Sequence, residues 1–149
     1  MKYSYVALFD AEDHGFNVTF VDSQDWYTCG DSIPDAVKMA TDLLNMVLTE
    51  LEDEGKPIPE PTPIDQVEPD DDKLIRLIHA DTDAYRQLLK EIDGNPIRYA
   101  REQMGMSIKE MSDYLDAPYR TVQDWNSGLK RPPKWCERLI FDKIMELKD

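Results

Sequence analysis

Residues 104–133, MGMSIKEMSDYLDAPYRTVQDWNSGLKRPP, constrain the fold more tightly than any other stretch of the chain. Ser107 with Glu110 three residues on has capping-box spacing and opens a helix over 107–115. Asp116-Ala117-Pro118 stops it and forces a turn, because the residue before a proline disfavours helix geometry. Tyr119–Ser127 is the next helix, ended by Gly128. Met111 and Leu115 on the first helix and Val122 and Trp125 on the second supply a shared inward face. Two short helices joined by a tight turn over one core make a helix-turn-helix. Ile97–Gln103 reads as a helix before this pair and Trp135–Leu147 as one after it.

Such a unit reads duplex DNA, yet the chain has a formal net charge of -14. The charge is unevenly distributed. Residues 94–149 carry 10 Lys and Arg against 9 Asp and Glu; residues 1–93 carry 7 against 22. A near-neutral helical domain over 94–149 is therefore joined to a strongly acidic domain over 1–93 that suits a cationic partner.

On the second helix of the pair, helical spacing turns Arg120, Gln123, Asp124 and Ser127 away from the expected core, with Tyr119 at the N-terminal tip nearest the base edges. Arg120 is suited to guanine and Gln123 to adenine, while Asp124 accepts from cytosine or orients Arg120. Ser107, Ser127, Lys130, Arg131 and Lys134 are candidates for phosphate contacts, which position without reading sequence. The order of capped helix, proline turn, Val122-x-x-Trp125-x-x-Gly128 and then Lys130-Arg131-Pro132 resembles the Xre/Cro-like helix-turn-helix family. Asp116 departs from that pattern, standing where a turn glycine is common. Aspartate tolerates left-handed geometry better than most residues.

The acidic half begins with strand-like runs, Tyr3–Phe9, Phe16–Val21 and a short Trp26–Cys29, with a polar loop over Asp10–Gly15. A helix follows, capped by Ser32 and Asp35 and ended by Gly55, with an apolar stripe including Val37, Ala40, Leu44, Leu48 and Leu51. Its acidic end, Glu52-Asp53-Glu54, opposes the helix dipole and hints at a binding role. Residues 56–72 hold Pro57, Pro59, Pro61, Pro63 and Pro69 and form an extended linker. A strand over 74–80 and a helix over 83–92 complete this half, and Gly94-Asn95-Pro96 ends it.

Tyr5-x-x-x-Phe9, Asp13-His14-Gly15-Phe16-x-Val18-x-Phe20-x-Asp22, Thr28-x-Gly30-Asp31 and the closing Glu54-Gly55-x-Pro57-Ile58-Pro59-Glu60-Pro61 resemble the HicB family of antitoxins over roughly residues 3–62. Val21 replaces a frequent proline and Trp26 a common cysteine. The resemblance implies an α+β chain: a small β-β-β-α-β domain likened to a degenerate RNase H fold, then the all-α helix-turn-helix domain. It also implies an antitoxin that neutralises a HicA-like mRNA-cleaving toxin and represses its own operon. The candidate toxin contacts are Glu12, Asp13, Asp22 and Asp25, with Trp26 or Tyr27 as an apolar anchor. A transcription regulator with a ligand- or protein-sensing first domain fits the same layout.

No catalytic residue, metal site or cofactor is expected. Asp10, Asp22, Asp31 and Asp70–Asp72 lack a diagnostic spacing, and His14 and His79 join no nucleophile pattern. Cys29 and Cys136 read as free thiols of a cytoplasmic protein, and no apolar run is long enough to cross a membrane. The widely spread apolar residues of 135–147 predict a homo-dimer, or a tetramer, built through the C-terminal domain.

Overall fold

The structure is a computed structural model that describes residues 1–148. The chain forms two compact units, Met1–Arg86 and Gln87–Asp149. The division falls inside the helix Thr82–Gly94.

In the first unit, β1 (Lys2–Glu12), β2 (Gly15–Phe20) and β3 (Ser23–Gly30) form a meander, followed by α1 (Ile33–Glu54) and β4 (Lys73–Asp81). The sheet order is β3-β2-β1-β4, and every neighbouring pair is antiparallel. This is the expected β-β-β-α-β order, but the strands outrun their sequence limits. Asp10, Ala11 and Glu12 pair with Asn17, Phe16 and Gly15, so the expected Asp10–Gly15 loop shrinks to Asp13-His14. Two residues are the shortest common hairpin connection.

Strand alternation sorts the side chains. Tyr5, Ala7, Phe9, Val18, Phe20, Trp26, Ile78 and Ala80 face α1 and share a core with its Ala36, Ala40, Leu44 and Leu48. Those four lie one helical turn apart, with the small pair first. Gly30 explains why: a Cβ there would stand 2.4 Å from the Ala36 backbone nitrogen. Only glycine lets the end of β3 approach the first turn of α1 this closely.

Both ends of α1 are capped. Ser32 Oγ accepts from the Asp35 N–H at 3.2 Å, and the Asp35 carboxylate accepts from the Asp31 N–H at 2.9 Å. Gly55 takes a left-handed φ of 65°, and the Lys56 N–H reaches the Leu51 carbonyl at 2.9 Å. That is the Schellman closure.

The proline segment between α1 and β4 carries the chain from one end of the sheet to the other. In extended form it advances about 3 Å per residue, ample to span a strand, and so β4 enters antiparallel to β1. The segment is fastened to the unit and includes a 3-10 turn, Ile64–Gln66. Tyr5 donates its hydroxyl to the Pro59 carbonyl, Ile58 packs on the core, and Thr62 bonds Asp22 through both its N–H and its hydroxyl.

Helix α2 (Thr82–Gly94) contains the division between units, and its Leu88 and Leu89 remain more than a third exposed. The second unit continues with α3 (Pro96–Gln103), α4 (Ile108–Leu115), α5 (Tyr119–Ser127) and α6 (Lys134–Met145). Ile97, Ala100, Met111, Val122 and Ile144 form its core, flanked by Leu115, Trp125, Ile140 and Phe141. The inward set expected for α4 and α5 is the set that packs.

Candidate functional site

The α4–α5 pair is built from caps. Ser107 Oγ accepts from the Glu110 N–H at 3.1 Å, and Glu110 accepts from the Ser107 N–H at 3.3 Å, which completes the capping box. In the turn, Asp116 has φ 51° and ψ 42°, the left-handed conformation its position requires. It is the only non-glycine residue with positive φ among the described residues. Ser112, buried on α4, donates to the Ala117 carbonyl at 2.6 Å and holds the turn from beneath. Asn95 caps α3 through Oδ1 and donates to the Trp125 and Asn126 carbonyls at the end of α5. Arg101 donates to Asn126 Oδ1 and to the Met106 carbonyl, both at 2.8 Å. These bonds fix α5 at both ends and leave its outer face clear.

That face carries Tyr119, Arg120, Gln123 and Ser127, all exposed. Tyr119 is 47% exposed at the tip. Asp124 departs from the expected outward set. Its side chain is only 14% exposed and turns toward Lys130, with Asp124 Oδ2 at 3.7 Å from Nζ. Helical spacing alone put it outward; the chain folding back after Gly128 covers it.

Arg131 is likewise engaged. It grips Glu137 with two bonds of 3.0 and 2.8 Å and donates to the Asp93 carbonyl. Glu137 is buried, so Arg131 is the counter-charge of an interior carboxylate before it is anything else. Ser107 and Ser127 are exposed but serve their own backbone; Lys134 is exposed on the first turn of α6. No local signal marks the Glu137 bond, because a carboxylate six residues beyond an arginine has no fixed meaning.

In the first unit the anticipated contacts separate. Asp13 sits on the β1–β2 hairpin, and Glu12 closes β1 with its carboxylate accepting from Asn17 Nδ2 at 3.0 Å. Asp22 lies at the opposite end of β2 and is taken up by Thr62, 2.6 Å from its hydroxyl. Trp26 is 7% exposed and packs edge-on against Tyr5 and Phe20 as part of the core; its neighbour Tyr27 is the exposed aromatic, at 68%. Asp25 is exposed beside it. Strand alternation decides between the two rings.

The acidic end of α1 also has an interior role. Glu52 accepts from Tyr3 Oη at 2.7 Å and from Thr82 Oγ1 at 3.0 Å, and pairs with Arg86 at 2.8 Å. The Tyr3 bond first, and the Arg86 and Thr82 bonds after it, hold the Glu52 carboxyl below its ordinary range. Burial, reinforced by Glu52, pushes Tyr3 up to about 12; burial and the Asp22 charge do the same for Tyr5.

Comparison with known proteins agrees with this architecture. Residues 2–76 match the family described as HicB_like antitoxin of bacterial toxin-antitoxin system. No curated protein matches the chain. Among solved structures, a toxin-antitoxin complex from Streptococcus pneumoniae shares 22% identity, with a TM-score of 0.52 over 57% of this chain and 73% of that one. A HicA3 and HicB3 toxin-antitoxin complex shares 20% identity, with a TM-score of 0.46 over 53% of this chain and 99% of that one. At that identity the likeness to the Streptococcus pneumoniae complex is one of fold. The family match spans half the chain and includes the whole β-β-β-α segment with the start of β4, so the chain belongs to the HicB-like antitoxins of bacterial toxin-antitoxin systems.

Proposed function

We propose that this antitoxin works as a repressor with two separate surfaces. Its N-terminal unit binds and neutralises a HicA-like mRNA-cleaving toxin, and its C-terminal unit binds the operator of its own operon. The distribution of charge carries the first half. Residues 1–86 hold 6 Lys and Arg against 20 Asp and Glu, and residues 87–149 hold 11 against 11, so the whole excess of -14 lies in the unit that the antitoxin family matches. An RNA-cleaving protein must offer a cationic surface to its substrate, and an acidic domain competes for that surface and speeds encounter.

The exposed face of α5 carries the second half. Tyr119, Arg120 and Gln123 stand clear on a helix that starts at the Pro118 turn and is closed by left-handed Gly128, the arrangement a recognition helix needs. Exposed Trp135 and Leu139, 70% and 61% exposed and one turn apart on α6, support dimerisation through this unit. A dimer presents two such helices to two half-sites and compensates for the weak phosphate attraction of a unit with no net charge.

The test combines RNA cleavage by the operon's toxin with binding of a promoter fragment, both using the full chain. Stoichiometric inhibition and a discrete gel-shift complex are expected. Arg120→Ala should weaken promoter binding about 10-fold or more and leave toxin inhibition intact. Unchanged promoter affinity for Arg120→Ala at moderate salt would count against the repressor half.

A further inference from the structure

α1 covers one face of the sheet, and in an antiparallel sheet of this kind the other face is ordinarily polar. Here it is not. Ile75, Leu8, Thr19 and Tyr27 are consecutive register partners across β4, β1, β2 and β3, and Leu77 and Val6 lie opposite one another in the adjoining row. None of them belongs to the α1-facing core. Tyr27 is 68% exposed and Leu77 39%, Leu8 and Ile75 are half-buried, and Val6 is buried. β1 and β4 thus carry apolar residues at both parities, which a strand with one solvated face does not need.

Carboxylates border this strip on the same face. Asp10 and Glu12 continue β1 beyond Leu8, with Asp70, Asp71 and Asp72 just ahead of β4 at that end, and Asp25 precedes Tyr27 on β3. An apolar centre with a charged margin is the anatomy of a protein-docking surface. In a unit with a net charge of -14, that margin selects a basic partner.

We infer that the sheet face opposite α1, through its exposed Tyr27 and Leu77 and half-buried Leu8, is where the cationic toxin docks, with its basic groups on the Asp10, Glu12 and Asp25 margin. The inference rests on the toxin-neutralising reading above and assigns that function to one side of the unit. It separates this side from the solvent side of α1, where Met39 and Met46 are also exposed.

Calorimetry of the full chain with the toxin of its own operon tests it. Tyr27→Ala should weaken binding about 30-fold, as for a central aromatic anchor, and Leu77→Asp by more. Met39→Asp and Met46→Asp should stay within about 3-fold of the unaltered chain. Exposed Cys29 lies on the same face as Tyr27 and gives a readout independent of side-chain truncation. In a Cys136→Ser background, toxin should slow its modification by a thiol reagent, even where Leu77→Asp fails to fold. Loss of binding confined to the α1 variants, with Cys29 still reactive in the complex, overturns the inference and leaves the antitoxin function standing. So does a Tyr27→Ala protein that binds toxin normally but loses self-association, since the face then serves a second copy. An unaltered chain that binds no toxin overturns the function and the docking face together.

Discussion

Each unit is held together internally by polar side chains, but these act over different distances along the chain. In the C-terminal unit the caps and turns close locally, Ser107 to Glu110 over 3 residues, Ser112 to Ala117 over 5 and Arg131 to Glu137 over 6, and the bonds that fix the end of α5 span 25 to 31. In the N-terminal unit they are remote: Asp22 to Thr62 over 40, Tyr3 to Glu52 over 49, Tyr5 to Pro59 over 54. Local bonds form with their own helix or turn. Remote ones exist only once the sheet, α1 and the proline segment are assembled, after the loop entropy has been met. The N-terminal unit should therefore respond to perturbation as a whole, and the C-terminal one element by element.

Residue-resolved hydrogen exchange on the full chain can break that contrast. Trp26→Ala should cost about 3–5 kcal/mol, the usual range for a buried aromatic, and lower protection throughout residues 1–86 while Met111 and Val122 keep theirs. Uniform loss in both units would refute the separation. Alkaline titration follows. Tyr3 and Tyr5 both ionise near 12 in the fold, against 10.0 for an ordinary tyrosine. Raised values mean that their contribution is complete below pH 10 and is lost as pH rises through about 12. Each contributes about 1.4 kcal/mol per pH unit of separation as an upper bound, less for the partly solvated Tyr3. A Tyr3→Phe, Tyr5→Phe protein should lose that alkaline transition.

Arg131→Ala should destabilise the C-terminal unit by about 2 kcal/mol, because it strands buried Glu137 while losing a partly solvated guanidinium. Glu137→Gln in the same background should recover part of it. Thr62→Val should cost about 1 kcal/mol and open residues 56–72 to protease without unfolding the sheet. Asp116→Gly is the smallest effect. It should stabilise the turn by a few tenths of a kcal/mol, whereas Asp116→Val should destabilise it, both read from thermal melts.

The same contrast governs what was legible in the sequence. Helix limits, the capping box, the left-handed Asp116 and the inward set of Met111, Leu115, Val122 and Trp125 could all be read, since each depends on neighbours within a turn or two. The intramolecular partners of Asp124 and Arg131, Lys130 and Glu137, could not be read, because they are reached only when the chain folds back after α5. In the N-terminal unit the β-β-β-α-β succession of elements followed from a family resemblance, but the strand lengths and the fate of Asp22 did not. Trp26 and Tyr27 could be told apart in principle, since Phe20 and Trp26 share the inward parity once the β2–β3 register is known. The doubly apolar β1 and β4 were visible as a pattern; only the position of α1 reveals which parity is left uncovered.

The latch between Asp22 and Thr62 bears on how long the molecule survives in a cell. With the latch closed, the proline segment lies bonded along the sheet; with it open, the stretch beyond Pro59 loses that hold and becomes the kind of exposed chain that proteolytic machines seize first. Turnover would then be timed by the opening of one carboxylate, and anything that braces the sheet would lengthen the molecule's life without touching the cleavage site.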